Sequence, residues 1–170
     1  YVRRPAPTLF TVGGLSGSGK SHLALTGCGT EHAVIIRSDA TRKRIAGTRP
    51  DLPLYGQKMN KLTYAAMFAA AERALQAGFS VILDATFLRR EDRDIIRQIA
   101  ATQQLPCRIL WLEIDEALLR KRITHRQRAD SDVSDADLAV LDKQLAAYQR
   151  PEEDDIIFVR DSDRWPKLPE

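Results

Sequence analysis

Short apolar runs alternate with amphipathic stretches along this chain. "TLFTV" (8–12) runs straight into glycines and predicts a strand, a loop and then a helix. That helix starts near Lys20 and is expected to end by Gly27 or Gly29, because glycine suits a left-handed C-terminal cap. "HAVIIR" (32–37) predicts a second strand, and "DATRKRIAG" a short helix closed by Gly47. Residues 48 to 57, with two prolines and a glycine, break regular structure. From Met59 to Ala77, Tyr64, Met67, Phe68, Ala71, Ala74 and Leu75 fall on one helical face, and Gly78 stops the helix. "SVILDA" (80–85) is a continuous apolar run, as in a strand covered on both sides. Ile95, Ile96, Ile99 and Ala100 give the next helix a buried stripe, and "CRILWLEI" (107–114) is a fourth strand. A helix from Asp115 to Arg128 follows. Ser134 and Asp137 resemble an N-cap with its acidic third residue, before Leu138, Leu141, Leu145 and Tyr148 at helical period. "DIIFVR" (155–160) is the fifth strand.

Strands that alternate with helices throughout imply an α/β fold: a parallel sheet with helices on both faces, a three-layer sandwich. The 170 residues suffice for one such domain, and no repeat or low-complexity tract suggests another. The expected division is a linker at 1–7, the domain at 8–162 and a tail at 163–170. No apolar run approaches the roughly 18 residues of a membrane helix. The start "YVRRPAPTLF" lacks Met and a long apolar stretch, so it reads as a linker within a longer polypeptide, not a signal peptide. Cys28 and Cys107 have no metal or redox spacing and are expected as buried thiols in a reducing, cytoplasmic setting. Trp111 is expected in the core; Trp165 packs on the domain or on a neighbour. Glu152 to Asp155 read as a solvated acidic turn.

The net charge of +3 is only mildly basic. Its distribution changes the picture, because Arg37, Arg42, Lys43, Arg44 and Arg49 cluster in one run. Arg120, Lys121, Arg122, Arg126 and Arg128 cluster in another. Such runs are ordinarily solvated helix faces; beside a polyphosphate site they suit an anion.

That site is "GGLSGSGKSHLA" (13–24). Gly14, four residues, then Gly19-Lys20-Ser21 is the P-loop spacing. Glycines let the backbone turn tightly and aim N–H groups at phosphate oxygens, and the following helix adds its positive end. Gly14, Leu15, Ser16, Gly17, Ser18, Gly19, Lys20, Ser21 and His22 are the expected ATP-binding set. Lys20 reaches the outer phosphates, and the Ser21 hydroxyl can ligate Mg²⁺. Asp84, at the end of an apolar strand, reads as the second Mg²⁺ anchor. Thr86 can touch nucleotide, metal shell or acceptor, or simply start a turn. The three histidines share no ligand spacing that suggests metal binding or nucleophilic catalysis.

"GLSGSGKS", "SDATRKRIAG", "VILDATFLRREDR" and "RKRITHRQR" together resemble the predicted P-loop kinases of bacteria. These are relatives of polynucleotide 5′-hydroxyl kinases, chloramphenicol phosphotransferases and zeta-toxin-type kinases. The resemblance runs from Thr8 to Ser162 and is strongest to kinase-like domains that follow an aminoglycoside-phosphotransferase-like domain. It implies a P-loop NTPase sheet of five parallel strands in the order 2-3-1-4-5, and tethering to another domain. The group often carries an AAA-type label, although 170 residues leave little room for the lid domain and ring-forming arginines of a complete AAA+ module.

In the polynucleotide-kinase-like relatives, an Asp at the position of Asp39 orients the acceptor hydroxyl and takes its proton. An Arg three residues on, matched here by Arg42, binds substrate or transferring phosphate. The bland alternative is that Asp39 only caps a helix. Arg122 and Arg126 share a helix face. Glu116 can pair with Arg120 and Asp130 with Arg126, but Arg122 has no carboxylate nearby in sequence. The lid arginines of P-loop kinases occupy such a segment, here 115–134, and clamp the phosphates. The alternative is a solvated basic helix. The leading expectation is an ATP- and Mg²⁺-dependent kinase acting on a small-molecule hydroxyl, with no membrane partner and with residues 48 to 60 helping to form the acceptor pocket. A nucleic-acid 5′-hydroxyl kinase is second, since single-strand binders stack bases on aromatics and only Tyr55 lies near the first basic run. A nucleotide-sensing regulatory module is third; it would need no Asp39.

Overall fold

The computed structural model describes residues 6–129 and 138–169. The elements follow in the order β1 (Leu9–Gly14), α1 (Lys20–Glu31), β2 (Val34–Arg37), α2 (Ser38–Thr48), α3 (Gln57–Gln76) and β3 (Val81–Asp84). Then come α4 (Arg90–Thr102), β4 (Cys107–Leu112), α5 (Glu116–Ala129), α6 (Leu138–Ala147) and β5 (Ile156–Val159). The strands form one five-stranded sheet in the order β2-β3-β1-β4-β5, as the resemblance implies. Every pairing is parallel. The N-cap suggested at Ser134 and Asp137 lies outside the described residues.

Both faces of the central strands β1, β3 and β4 are buried, which is why they read as continuous apolar runs, whereas the edge strands β2 and β5 are partly exposed. Leu9, Val81 and Leu83 point to one face, where Met67, Ala71 and Leu75 of α3 and Ile96, Ile99 and Ala100 of α4 cover them. Phe10, Val12 and Ile82 point to the other, against Leu23 and Ala24 of α1 and Trp165. Each fully buried large apolar side chain contributes about 1.5–3 kcal/mol. Trp111 is buried, as expected.

Four expectations need correction. Helix α1 runs through both Gly27 and Gly29 and ends at Glu31, where His32 takes the left-handed position at φ 50°. Gly27 serves packing: a Cβ there would lie 2.3 Å from the Trp165 ring, whose Nε1 donates to Glu31 at 2.8 Å. Ile95 is exposed, whereas Arg93 of the same helix is buried together with Ile96, Ile99 and Ala100. The acidic turn is not simply solvated. Arg93 and Glu153, with side chains only 3% and 8% exposed, form a bidentate pair at 2.7 and 3.0 Å. Asp155 pairs with Arg97 at 2.6 Å. The hydrogen bond from Arg93 holds the Glu153 carboxyl at about 2, well below its usual range. Finally, both thiols are half-buried. Burial pushes that of Cys107 up to about 11, so it is unreactive at neutral pH.

Candidate active site

The P-loop joins the end of β1 to the start of α1, at the C-terminal edge of the sheet where parallel α/β folds place ligands. Gly17 and Gly19 hold φ of 82° and 93°, a left-handed backbone that other residues rarely adopt. Gly19 also lacks room for a side chain, because a Cβ would meet Ser162 at 2.6 Å. The Ser18 hydroxyl is fully buried and has no hydrogen-bond partner. A buried donor left open inside a phosphate cradle is what an anionic oxygen would satisfy.

Lys20 is the first residue of α1, and its Nζ donates to the Leu15 carbonyl at 3.0 Å. Burial pushes this ammonium below its ordinary value; Asp84 and Asp39 oppose that shift, and Arg126 reinforces it. Charges on β3, α2 and α5 thus all act electrostatically on Lys20 at the start of α1. Asp84, 4% exposed, accepts a 2.7 Å hydrogen bond from the Ser21 hydroxyl. Burial raises its carboxyl above the usual range, against the pull of Lys20, the Ser21 hydrogen bond and Arg37. Ser21 and Asp84 offer hard oxygens at one place, the donor type Mg²⁺ takes, so the residues fit that ion.

Asp39 sits in the first turn of α2, but the N-cap is Arg37 and no side chain caps the helix. Asp39 is therefore not an N-cap, although its charge in the first turn still favours the helix start. Arg42, 9% exposed, donates from Nη1 to Asn60 Oδ1 at 2.6 Å and to the Leu54 carbonyl at 3.2 Å. Its guanidinium lies over the Tyr55 ring, and its Nε is buried without a partner. It thus ties the irregular segment before α3 to the first turn of α3. Thr86 turns its hydroxyl to Tyr64 at 3.3 Å, and its carbonyl accepts the Gly14 N–H at 3.1 Å.

Helix α5 packs directly on the P-loop, with Ile123 and the Leu119 carbonyl against Gly17. Arg122 Nη1 donates to the Ser18 carbonyl at 3.1 Å and the Gly17 carbonyl at 3.4 Å. It holds the loop and answers the question of its missing carboxylate. Arg120 pairs with Glu116, as the sequence suggested, and with Asp142. The suggested Arg126–Asp130 pair and the end of the lid segment lie outside the described residues. His22 is exposed and contacts Asp163 at 3.2 Å.

A family model described as AAA domain matches residues 9–151. The chain belongs to that family. The AAA domain match covers the P-loop, Asp39, Arg42, Asp84 and Arg122 and Arg126 of α5. No curated protein matches the chain. Among solved structures it is similar to the Mycobacterium tuberculosis APS kinase CysC in complex with AMPPNP and APS. There the identity is 19% and the TM-score 0.70, over 94% of this chain and 93% of that one. A gluconokinase from Sinorhizobium meliloti 1021 aligns at 23% identity and TM-score 0.65, over 92% and 84%. A sugar kinase from Janibacter sp. HTCC2649 aligns at 22% and 0.66, over 92% and 86%. At these identities the likeness establishes the fold.

Three residues of this AAA domain site escaped sequence reasoning. Gln144 of α6 accepts the Ser16 N–H at 2.8 Å and donates to its hydroxyl at 2.8 Å. Its signal was available: a polar residue among Leu141, Leu145 and Tyr148 on an apolar face. Ser162 follows β5 and lies against Gly19, which nothing local announces. Arg37 was visible only as one member of a basic run; it donates to Ser21 and pairs with Asp84.

Proposed function

We propose that the chain is an ATP- and Mg²⁺-dependent phosphotransferase that moves the γ-phosphoryl group to a hydroxyl of a small molecule. The observation that carries this reading is the geometry at the C-terminal edge of the sheet: the Ser21 hydroxyl on Asp84 at 2.7 Å, the buried Ser18 hydroxyl without a partner, and Asp39 in the first turn of α2, directly after the strand whose Arg37 lies in register with Asp84. A nucleotide-holding module needs the P-loop and one metal anchor. A second carboxylate, in the first turn of α2 on the acceptor side, is what transfer to a hydroxyl requires.

In this reading the P-loop N–H groups and Lys20 bind the polyphosphate, and Ser21 and Asp84 hold the metal. Bound Mg²⁺ neutralises charge on the phosphoryl oxygens. Asp39 accepts the proton of the acceptor hydroxyl as the new O–P bond forms and the bond to the β-phosphate breaks. A weak base suffices when the proton leaves late in a loose transfer. Arg122 and Arg126 bear on the charge that spreads over the equatorial oxygens, and Arg42 lines the acceptor side. The fold neighbours that carry the names sugar kinase, gluconokinase and APS kinase support a small acceptor. Cytoplasmic ATP and Mg²⁺ supply such an enzyme, and no helix among the described residues is long and apolar enough to cross a membrane.

The test is an ATP-consumption screen over hydroxylated metabolites, antibiotics, nucleotide sugars and 5′-hydroxyl oligonucleotides. The account expects a small molecule to stimulate turnover. Stimulation by oligonucleotides alone would move the assignment to a nucleic-acid kinase, a reading favoured by the exposed Lys43 and Arg44 on α2.

A further inference from the structure

Strand β2 lies beside β3 with Arg37 in register with Asp84, so both side chains leave the sheet on one face at its C-terminal edge. The Arg37 guanidinium uses that placement fully. Its Nη2 donates to Ser21 Oγ at 3.1 Å, and its Nε lies 3.4 Å from Asp84 Oδ2. The same Oδ2 accepts the Ser21 hydroxyl at 2.7 Å. Thus one guanidinium binds the two oxygens that the preceding section assigns to the metal. The partners differ in freedom: the Arg37 side chain is 38% exposed and the Asp84 side chain 5%. The cation can swing away, whereas the carboxylate cannot.

We propose, building on the assignment of Ser21 and Asp84 as metal ligands, that Arg37 is a positioning residue that competes with Mg²⁺ for these oxygens and so sets the metal affinity of the site. A divalent cation and a guanidinium seek the same oxygens, and two positive charges drawn to Asp84 Oδ2 and Ser21 Oγ repel each other, so a metal bound there displaces Arg37. Metal binding and release of Arg37 are therefore one event. In the metal-free protein Arg37 shares with Lys20 the compensation of the buried carboxylate and holds Ser21 and Asp84 together. An uncompensated carboxylate at that depth would be costly.

The experiment titrates the ADP-saturated protein with Mn²⁺, an oxygen-seeking substitute for Mg²⁺, and counts free ion by electron paramagnetic resonance. Arg37→Gln should bind Mn²⁺ about tenfold more tightly than the parent, which is about 1.4 kcal/mol. Arg37→Lys, which keeps charge but loses the planar fork, should fall between the two. Arg44→Gln removes the same charge from the exposed face of α2 and should change the affinity less than about twofold, since exposed charges are screened. Equal or weaker binding by Arg37→Gln overturns the proposal, and so does equal tightening by Arg44→Gln. A second readout needs no variant: the ¹⁵N-resolved Nε–H resonance of Arg37 should shift when Mg²⁺ is added to the ADP complex. An unmoved resonance under saturating metal contradicts competition. If the parent binds no Mn²⁺ with ADP present, the metal assignment itself falls and takes this proposal with it. If it binds Mn²⁺ regardless of Arg37, only the proposal falls.

Discussion

Glu153→Gln removes one charge far from the P-loop in sequence, yet its effect can be worked from the structure. Arg93 donates two bonds to Glu153, and its Nη1 also donates to the carbonyls of Phe87 at 2.9 Å and Leu88 at 3.2 Å. It therefore braces the turn that follows β3 and Asp84. Glu153 ionises at about 2 in the folded protein against 4.5 ordinarily. A depressed carboxylate adds stability above its unfolded value and loses it as the pH falls through the folded one. The difference corresponds to about 3 kcal/mol at pH 7, falling to roughly half or less at pH 3. Urea unfolding of parent and Glu153→Gln at the two pH values measures both gaps. The expectation is a gap of about 3 kcal/mol at pH 7 that shrinks at pH 3. A gap below about 1 kcal/mol at pH 7, the range of a surface pair, or one independent of pH, would refute the bracing argument.

Lys20→Ala should abolish Mg-ATP binding while the fold survives; unchanged affinity by titration calorimetry would remove the P-loop assignment. Arg126→Lys should lower kcat by about tenfold or more, about 1.4 kcal/mol, with ATP affinity changed much less, because a planar fork grips two oxygens and an ammonium does not. Lys121→Ala, at an exposed position of the same helix, is the control, and parental kcat in both would return Arg126 to the status of a solvated cation. Gly27→Ala and Gly29→Ala should move stability in opposite directions. The first drives a Cβ into the Trp165 ring, where overpacking costs about 1–3 kcal/mol, whereas the second meets nothing within 4 Å and gains up to about 1 kcal/mol of helix propensity. Thermal melts that shift the same way for both would contradict the packing role of Gly27.

The parts of the fold that were legible are those whose cause is local. Strands buried on both faces write themselves as "SVILDA" and "CRILWLEI", and the P-loop needs only eight consecutive residues. Strand order came from resemblance, since no periodicity encodes which strands pair. What stayed hidden depends on distant partners. Arg37 acquires its role from register with Asp84 across two strands. Gly27 looked like a helix stop because the tryptophan that needs the space lies in the C-terminal tail. Glu153 looked solvated because Arg93, its partner, carried no sign of burial beyond its place beside Ile96. Asp39 was legible through the resemblance, and that it is not an N-cap needed the helix start at Ser38.

The most direct test of the central claim follows the labelled γ-phosphoryl group of ATP in the parent and in Asp39→Asn, with the acceptor that the screen identifies. Asparagine keeps the size and helix-start chemistry of the residue but cannot take a proton. The account predicts label on the acceptor hydroxyl with the parent, a loss of about a hundredfold or more in that rate with Asp39→Asn, and ATP affinity nearly unchanged. Label that appears only as inorganic phosphate, or equal transfer by both proteins, would contradict it.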